Sequence, residues 1–340
     1  MNKIIIAFFL IIISLIAGII IENKTHVLEK FIKPGKDSAV AGTDSLALKW
    51  GKEFKLVEIR SQADGETQKA YFYSSTSKDP QPLIVSLHSW SWNYQQEDTL
   101  SILSKEKNIN YIHPDFRGVN NTKNACCSDL VIADIDAAID YAIVNGNVDT
   151  SKIYVTGRSG GGYATLASFM KAKHRVKKFA AWVPLADLVK WYDQTKARKL
   201  KYAAEILLCT NSLNGELNKE VAIERSPIYW KTPVEKLDYA TIDIYDGIYD
   251  GLETNSPIPI TQSINFYNKL LNDLGATDSS AYISDSEKLK LLEYEKPLGD
   301  YGKIGGRDVC LVKKYKNLRI TFFTGGHEML QQYAFDELMK

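Results

Sequence analysis

Residues 152–171 read KIYVTGRSGGGYATLASFMK, and this stretch decides the fold. Its opening KIYVT is rich in β-branched and aromatic residues and predicts a strand, while the closing GGYATLASFMK predicts a helix. Between them, GRSGG at residues 157–161 satisfies the pattern G-x-S-x-G. Glycines at such a strand-to-helix turn permit the tight backbone that lifts a serine hydroxyl above a sheet. We therefore predict that Ser159 is a nucleophile at a helix N-terminus, where free N–H groups favour a developing oxyanion.

A glycine-rich turn between a strand and a helix is also found in phosphate-binding loops. The Walker lysine is absent here, and the spacing differs from the dinucleotide pattern G-x-G-x-x-G. The chain has 42 Lys and Arg against 41 Asp and Glu, so no excess of positive charge attracts a phosphate backbone. These observations favour the nucleophile and predict no nucleic-acid partner.

Outward from this stretch, strands alternate with helices, as in a mostly parallel sheet with helices on both faces. The sequence, 45% hydrophobic and 24% charged, has the composition of a globular protein. Three helices are predicted at Val131–Val144, Gly161–Lys171 and Ile260–Leu274. The predicted sheet has eight strands: Phe54–Arg60, Gln68–Tyr73, Leu83–His88, Ile109–His113, Lys152–Thr156, Lys178–Pro184, Thr241–Asp246 and Leu318–Phe323.

Two long segments, Ala186–Tyr239 and Ala276–Asn317, interrupt this alternation. The first is rich in Trp and Tyr, and the second separates a predicted helix from the last predicted strand. Ligands of such sheets bind beyond the carboxyl ends of the strands, where both segments begin. We interpret them as candidate cap insertions that select the substrate; surface decoration with its own small core is the alternative.

A serine nucleophile needs a general base, and the chain has five histidines. His327 lies in a glycine turn just after the last predicted strand, where a base loop would reach the serine. The other four fit structural or solvated positions: His26 in a linker, His88 and His113 at strand ends, and His174 in a charged run. We therefore predict His327 as the base.

The base needs a carboxylate to orient it, and three aspartates lie in or just after the strand TIDIYD. Asp243 falls inside the strand and fits worst. Asp250 sits a short turn past the strand end, with Asp246 as the second choice. The chain order Ser159, Asp250, His327 is that of the α/β-hydrolases.

The oxyanion of a tetrahedral intermediate requires two backbone donors. One is expected from Gly160, directly after the nucleophile, and the other from Trp90 in the loop that follows the strand LIVSLH. The pair Trp90 and Trp92 equally fits a hydrophobic plug, and the sequence leaves both interpretations open.

The motifs DGETQKAYFY, LIVSLHSW, YIHPDFRG, GRSGGGYATL, AWVPLADLVKWY, RSPIYW, DGIYDG and GGHEM resemble the catalytic domain of the prolyl oligopeptidase family of α/β-hydrolases. The resemblance covers about residues 50–340. It implies an α/β-hydrolase fold and a Ser-Asp-His serine hydrolase that needs no metal or organic cofactor.

The chain departs from the family at three points. His88-Ser89 replaces the usual His-Gly after the third strand, and Asp246-Gly247 replaces the His-Gly before the acid. The family's peptidases also carry a β-propeller, for which we find no sequence here. The substrate is therefore expected to be a small-molecule ester, a peptide or an acylated carbohydrate, cleaved by a peptidase or a carbohydrate acyl-esterase. A non-catalytic cell-surface binding protein on a hydrolase scaffold is the rival from another class.

The N-terminus has a different composition. Lys3 precedes an apolar run over residues 4–21, which as a helix would be about 27 Å long, near the lower limit for crossing a bilayer. We predict a signal peptide or signal anchor at residues 1–22, a linker at 23–47 and the catalytic domain at 48–340. The body would then be exported to the periplasmic or extracellular face and held at the membrane by residues 4–21.

Two arginines and four cysteines complete the candidates. Arg117 and Arg158 suit either an anionic substrate group or structural ion pairs. Cys126 and Cys127 are adjacent, and in an oxidising compartment one of them is expected to pair with one of the two remaining cysteines, Cys209 and Cys310. No CxxC pair or neighbouring histidine indicates a metal site.

Overall fold

The computed structural model describes residues 50–252 and 256–340. The predicted signal segment 1–22, with its apolar run, and the predicted linker 23–47 lie outside the described residues. Within the described ranges, no helix is long and apolar enough to cross a membrane.

The strands and helices alternate along the chain. The strands are β1 Lys55–Arg60, β2 Thr67–Tyr73, β3 Gln81–Leu87, β4 Asn110–Pro114, β5 Val148–Arg158, β6 Lys178–Trp182, β7 Thr241–Gly247, β8 Lys303–Ile304, β9 Arg307–Tyr315 and β10 Leu318–Phe323. The helices are α1 Thr99–Glu106, α2 Asp129–Asn145, α3 Gly160–Lys171, α4 Leu188–Ala197, α5 Tyr202–Cys209, α6 Lys219–Glu224, α7 Thr261–Asp273, α8 Asp285–Tyr294 and α9 Gln331–Met339. Short 3-10 helices lie at Pro227–Tyr229, Val234–Asp238 and Ser279–Ala281.

The strands form one mixed sheet in the order β1-β2-β4-β3-β5-β6-β7-β10-β9-β8. Its six central strands, from β4 to β10, run parallel, and the outer strands pair antiparallel. The carboxyl ends of the parallel strands therefore meet at one edge, where β5, β7 and β10 deliver their loops.

The prediction of eight strands is wrong by two. The eight predicted strands are present, with ends that differ by a few residues. The additional strands β8 and β9 come from the segment 276–317, which therefore extends the sheet beyond β10 rather than being surplus to it. In β9 only Val309, Cys310 and Leu311 are buried, and its charged second half hides the strand from a search for apolar runs.

Helices cover both faces of the sheet, as predicted. On one face α1 and α9 pack with Leu100 and Phe335 in a shared core. On the other face α2 and α3 pack around Ile135 and Ala164 in a larger core. Alternate residues of β5 supply the two cores, since Val155 belongs to the larger core and Tyr154 to the smaller.

The segment 186–239 folds as α4, α5, α6 and two 3-10 helices, and it shares the larger core through Trp191 and Ile206. A disulfide joins Cys126, in the loop before α2, to Cys209 at the end of α5. This pairing resolves the choice that the sequence left open. Cys127 and Cys310 are free and buried.

Arg117 is a structural ion-pair partner. Its Nη1 lies 2.8 Å from Asp64 Oδ2 and its Nε 2.8 Å from Asp134 Oδ2, and only 9% of the side chain is exposed. Burial raises the pKa of Asp134, and the guanidinium opposes that rise. The arginine thus holds the turn after β4 against the β1–β2 turn and α2.

Removing this guanidinium should destabilise the fold strongly. We expect Arg117→Met to lower the free energy of unfolding by about 3–5 kcal/mol, because Asp134 stays buried without its cation. Lys105→Met breaks an exposed pair with Glu53 and should cost far less, because water screens such a pair. Urea denaturation of both variants measures the difference, and equal losses would contradict the structural role of Arg117.

Candidate active site

Ser159 occupies a strained turn between β5 and α3. Its backbone has φ 60° and ψ −120°, a conformation that costs a non-glycine residue about 1–3 kcal/mol. The strain is offset by main-chain hydrogen bonds, since the Ser159 N–H donates to the Trp182 carbonyl (2.9 Å) and its carbonyl accepts from Tyr163 N–H (2.9 Å). The turn thus holds the serine at the carboxyl end of β5, as the sequence predicted.

The glycines of the motif are required by close backbone contacts. A Cβ atom on Gly157 would lie 2.6 Å from the Gly161 carbonyl carbon. A Cβ on Gly161 would overlap the Leu87 carbonyl oxygen, and one on Gly160 would overlap the Trp90 amide nitrogen. The G-x-S-x-G pattern is therefore a packing requirement between β3, β5 and α3.

Asp250 and His327 are hydrogen-bonded. The His327 Nδ1 lies 2.6 Å from Asp250 Oδ2, although the two residues are 77 positions apart. The Asp250 side chain is fully buried and also accepts a hydrogen bond from the Ile258 N–H (3.2 Å). Burial raises the pKa of Asp250, and the hydrogen bond and charge of His327 oppose the rise. The structure thus brings together the predicted acid and the predicted base.

Main-chain hydrogen bonds join the loops at this edge of the sheet. In the acid loop, Ile248 N–H donates to the Phe323 carbonyl (3.0 Å) and Tyr249 N–H to the Gly325 carbonyl (2.9 Å). Ser159 Oγ forms no hydrogen bond with His327 in the described structure. Because Nδ1 contacts Asp250, Nε2 is the ring nitrogen left for the serine, and such catalytic hydrogen bonds often form only with substrate bound.

The other two aspartates have different partners. Asp246 is fully buried, accepts a hydrogen bond from Ser263 Oγ (2.6 Å) and has no partner at Oδ1 among the described residues. Burial, and after it the charge of Asp250, raise the pKa of Asp246 well above its usual range. Asp243 pairs with Arg319, Nε to Oδ1 at 2.8 Å. The second choice for the acid is therefore hydrogen-bonded to Ser263 and not to His327.

The remaining described histidines occupy structural positions. His88 is buried, with Nε2 2.7 Å from the Asp115 carbonyl oxygen, and its ring stacks on Phe116. His113 is buried, and burial together with His88 lowers its pKa to about 3. His174 lies 3.2 Å from Asp140 on the surface of α2. His26 lies outside the described residues.

The predicted oxyanion donors, Trp90 and Gly160, are neighbours in space. The two backbones are so close that a Cβ atom added to Gly160 would lie 2.4 Å from the Trp90 amide nitrogen. Within the described ranges, the Trp90 N–H donates to no acceptor. The Trp90 side chain is buried and contacts Trp191, whereas Trp92 is 54% exposed. Trp90 therefore combines a backbone donor with a hydrophobic plug, and both interpretations fit one residue.

Sequence reasoning missed Glu205 of α5, whose Oε2 accepts a hydrogen bond from the Trp90 indole N–H (2.7 Å). The sequence offers only the i,i+4 spacing of Lys201 and Glu205, which is common on any helix surface. The Arg158 side chain forms no ion pair with any described residue. The described ranges hold no cluster of His, Cys, Asp or Glu suited to a metal ion.

Comparisons with known proteins support the fold. Residues 104–237, which contain the elbow, match the model of the prolyl oligopeptidase family, whose members are serine peptidases. No curated protein sequence matches the chain.

Three solved structures illustrate the likeness of the fold. The first is an acylaminoacyl peptidase in complex with Z-Gly-Gly-Phe-chloromethyl ketone, with 18% identity, a TM-score of 0.52 and coverage of 69% of this chain and 38% of that one. The second is prolyl oligopeptidase B from Galerina marginata, with 16% identity, a TM-score of 0.51 and coverage of 65% of this chain and 32% of that one. The third is a puromycin hydrolase mutant complexed with PGG, with 14% identity, a TM-score of 0.54 and coverage of 88% of this chain and 40% of that one. The chain spans two fifths or less of the length of each. It has the α/β-hydrolase fold and resembles the catalytic domain of the prolyl oligopeptidase family of serine peptidases.

Proposed function

We propose that the protein is an exported serine hydrolase that cleaves an ester or peptide bond through an acyl-enzyme. The observation that carries this proposal is the 2.6 Å hydrogen bond between His327 and the buried Asp250, at the sheet edge where β5 presents Ser159. A histidine fixed by a buried carboxylate beside a serine elbow has the roles that acyl transfer requires.

In this mechanism Ser159 Oγ attacks the acyl carbon while His327 Nε2 accepts its proton. Asp250 keeps the second ring proton on Nδ1 and stabilises the imidazolium that forms. The N–H groups of Trp90 and Gly160 donate to the oxyanion. His327 then protonates the leaving group, and a water molecule activated by the same nitrogen hydrolyses the acyl-enzyme.

Peptide and ester substrates are both proposed. The match to a family of serine peptidases supports the peptide. An acylated carbohydrate is favoured by Trp92, which is 54% exposed two residues beyond the oxyanion donor Trp90 and presents a ring suited to stacking on a sugar. A panel of acetylated sugars and of prolyl and alanyl peptide amides tests the two directly.

Ser159→Ala should abolish catalysis without unfolding the protein. Triad members act as a unit, so we expect kcat on a small activated ester to fall about 10⁴-fold or more. A fluorophosphonate probe should label the wild type and leave the variant unlabelled. A folded wild type that the probe fails to label would instead support the non-catalytic binding protein.

Asp250→Asn should lower kcat by about 10³–10⁴-fold, because an amide favours the wrong tautomer of His327. Asp246→Asn is the matched control and should cost far less, since Asp246 is hydrogen-bonded to Ser263 and Asp250 to His327. Steady-state kinetics of both variants test the assignment, and the reverse order would transfer the role to Asp246.

Stability gives a second readout for Asp246. The folded pKa lies above the unfolded value of about 3.9, so the folded state retains a proton that the unfolded state loses. The wild type should therefore lose stability relative to Asp246→Asn as pH rises above about 4. Denaturation experiments on both proteins from pH 4 to 8 measure this difference.

We also propose that residues 4–21 anchor the protein in a membrane, with the body on the periplasmic or extracellular side. The apolar run after Lys3 supports this, as does the Cys126–Cys209 disulfide, since disulfides persist in oxidising compartments.

The native protein should then fractionate with membranes and be released by detergent but not by high salt. A variant that carries a cleavable secretion signal in place of residues 1–22 should be released as a soluble protein. An N-terminus determined by sequencing between Ala17 and Lys30 would indicate cleavage and contradict the anchor.

A further inference from the structure

We propose that Glu205 is a positioning residue for the oxyanion donor Trp90, and that the Cys126–Cys209 disulfide closes a frame around that donor. This inference rests on the proposed function, because it concerns how the hole is held in place. It assigns a role in catalysis to α5, which lies in the segment first interpreted as a cap.

The first arm of the frame holds the side chain of Trp90. The indole Nε1–H donates to Glu205 Oε2 at 2.7 Å, and the Glu205 side chain is 17% exposed. A hydrogen bond from a buried donor to a charged acceptor is among the stronger ones in proteins. The indole also meets Trp191 edge to face, with ring centroids 4.7 Å apart. The hydrogen bond and the ring contact together fix the orientation of the indole.

The second arm holds the main chain of Trp90. Its carbonyl accepts hydrogen bonds from the backbone N–H (2.9 Å) and side-chain amide (3.4 Å) of Asn120. The Asn120 Oδ1 in turn accepts from the Cys126 N–H at 2.8 Å, and Asn120 itself is buried. The Trp90 carbonyl is therefore held by the loop that precedes α2.

The disulfide joins the two arms covalently. Cys126 ends the Asn120 arm, and Cys209 lies one helical turn after Glu205 on α5. The frame thus runs from the Trp90 carbonyl through Asn120 and Cys126, across the sulfur atoms to Cys209, and back through Glu205 to the indole. Both attachments of Trp90 therefore depend on the same covalent link.

The frame matters because an oxyanion donor acts only when it is aimed before the reaction begins. The Trp90 nitrogen already contacts Gly160, so a small shift of the loop would misdirect the N–H or press it on the elbow. Displacements of about 1 Å at such positions cost up to about 10²-fold in rate.

Glu205 also forms an ion pair with Lys201, with Nζ 3.2 Å from Oε1. A purely structural role of Glu205 in this ion pair is the alternative to the positioning role. Lys201 is 56% exposed, and an ion pair at such a site contributes little to stability. The two roles differ in what they need from residue 205. The indole needs any acceptor oxygen, whereas Lys201 needs a negative charge.

The test compares Glu205→Ala, Glu205→Gln and Trp90→Phe on p-nitrophenyl acetate, a small ester with few contacts to the protein. Glu205→Ala and Trp90→Phe should each lower kcat roughly tenfold with little change in KM, because a misaimed donor is lost in the transition state. Glu205→Gln keeps an acceptor oxygen and should restore most of kcat. The exposed Glu220→Ala, in the same segment, is the control.

The double variant Glu205→Ala/Trp90→Phe should be no slower than either single variant, since both break one interaction. Cys126→Ser/Cys209→Ser, assayed well below its melting temperature, should show a similar fall in kcat. Cys310→Ser removes a free buried thiol and should leave kcat unchanged.

Full kcat in Glu205→Ala, multiplicative losses in the double variant, or a Glu205→Gln variant as slow as Glu205→Ala would each overturn the proposal. Failure of the proposed function has a different signature, namely a wild type that neither turns over the ester nor reacts with a fluorophosphonate. That outcome would overturn both proposals at once, whereas an active wild type with unchanged variants overturns only this one.

Discussion

The close approach of three backbones at the serine elbow is the constraint on which the site depends. Gly157 and Gly161 let β5, β3 and α3 meet at distances that no side chain allows. The strained φ of Ser159 persists because packing and hydrogen bonds on both sides leave the chain no alternative. Once the serine is fixed there, every other participant must reach it from a loop at the same sheet edge.

Two buried aspartates, Asp246 and Asp250, lie four residues apart in the chain and have different surroundings. Asp250 meets the His327 ring, which favours its charged form, while Asp246 meets the Ser263 hydroxyl and has a pKa raised well above its usual range by burial. Two ionised carboxylates so close in a buried site would repel each other strongly. The surroundings of Asp246 favour its protonated form, which lessens this repulsion on Asp250.

The two interrupting segments differ in what they contribute. Segment 276–317 completes the sheet edge through β8 and β9. Segment 186–239 buries Trp191 and Tyr192 in the larger core and places Glu205 against the indole of Trp90. A segment that shares the core in this way is part of the scaffold, and its packing holds the residue proposed as an oxyanion donor.

The elbow, the eight predicted strands and the candidates Ser159, Asp250 and His327 follow from the sequence, because glycine spacing, apolar runs and element order are local patterns. The sequence kept Asp246 as a second choice for the acid, left open the cysteine pairing and the role of Trp90, and missed β8, β9 and Glu205. Those features depend on which residues distant in the chain become neighbours, and on how completely each is removed from water. Only the tertiary structure decides that, since desolvation and hydrogen-bond partners are properties of the packed chain.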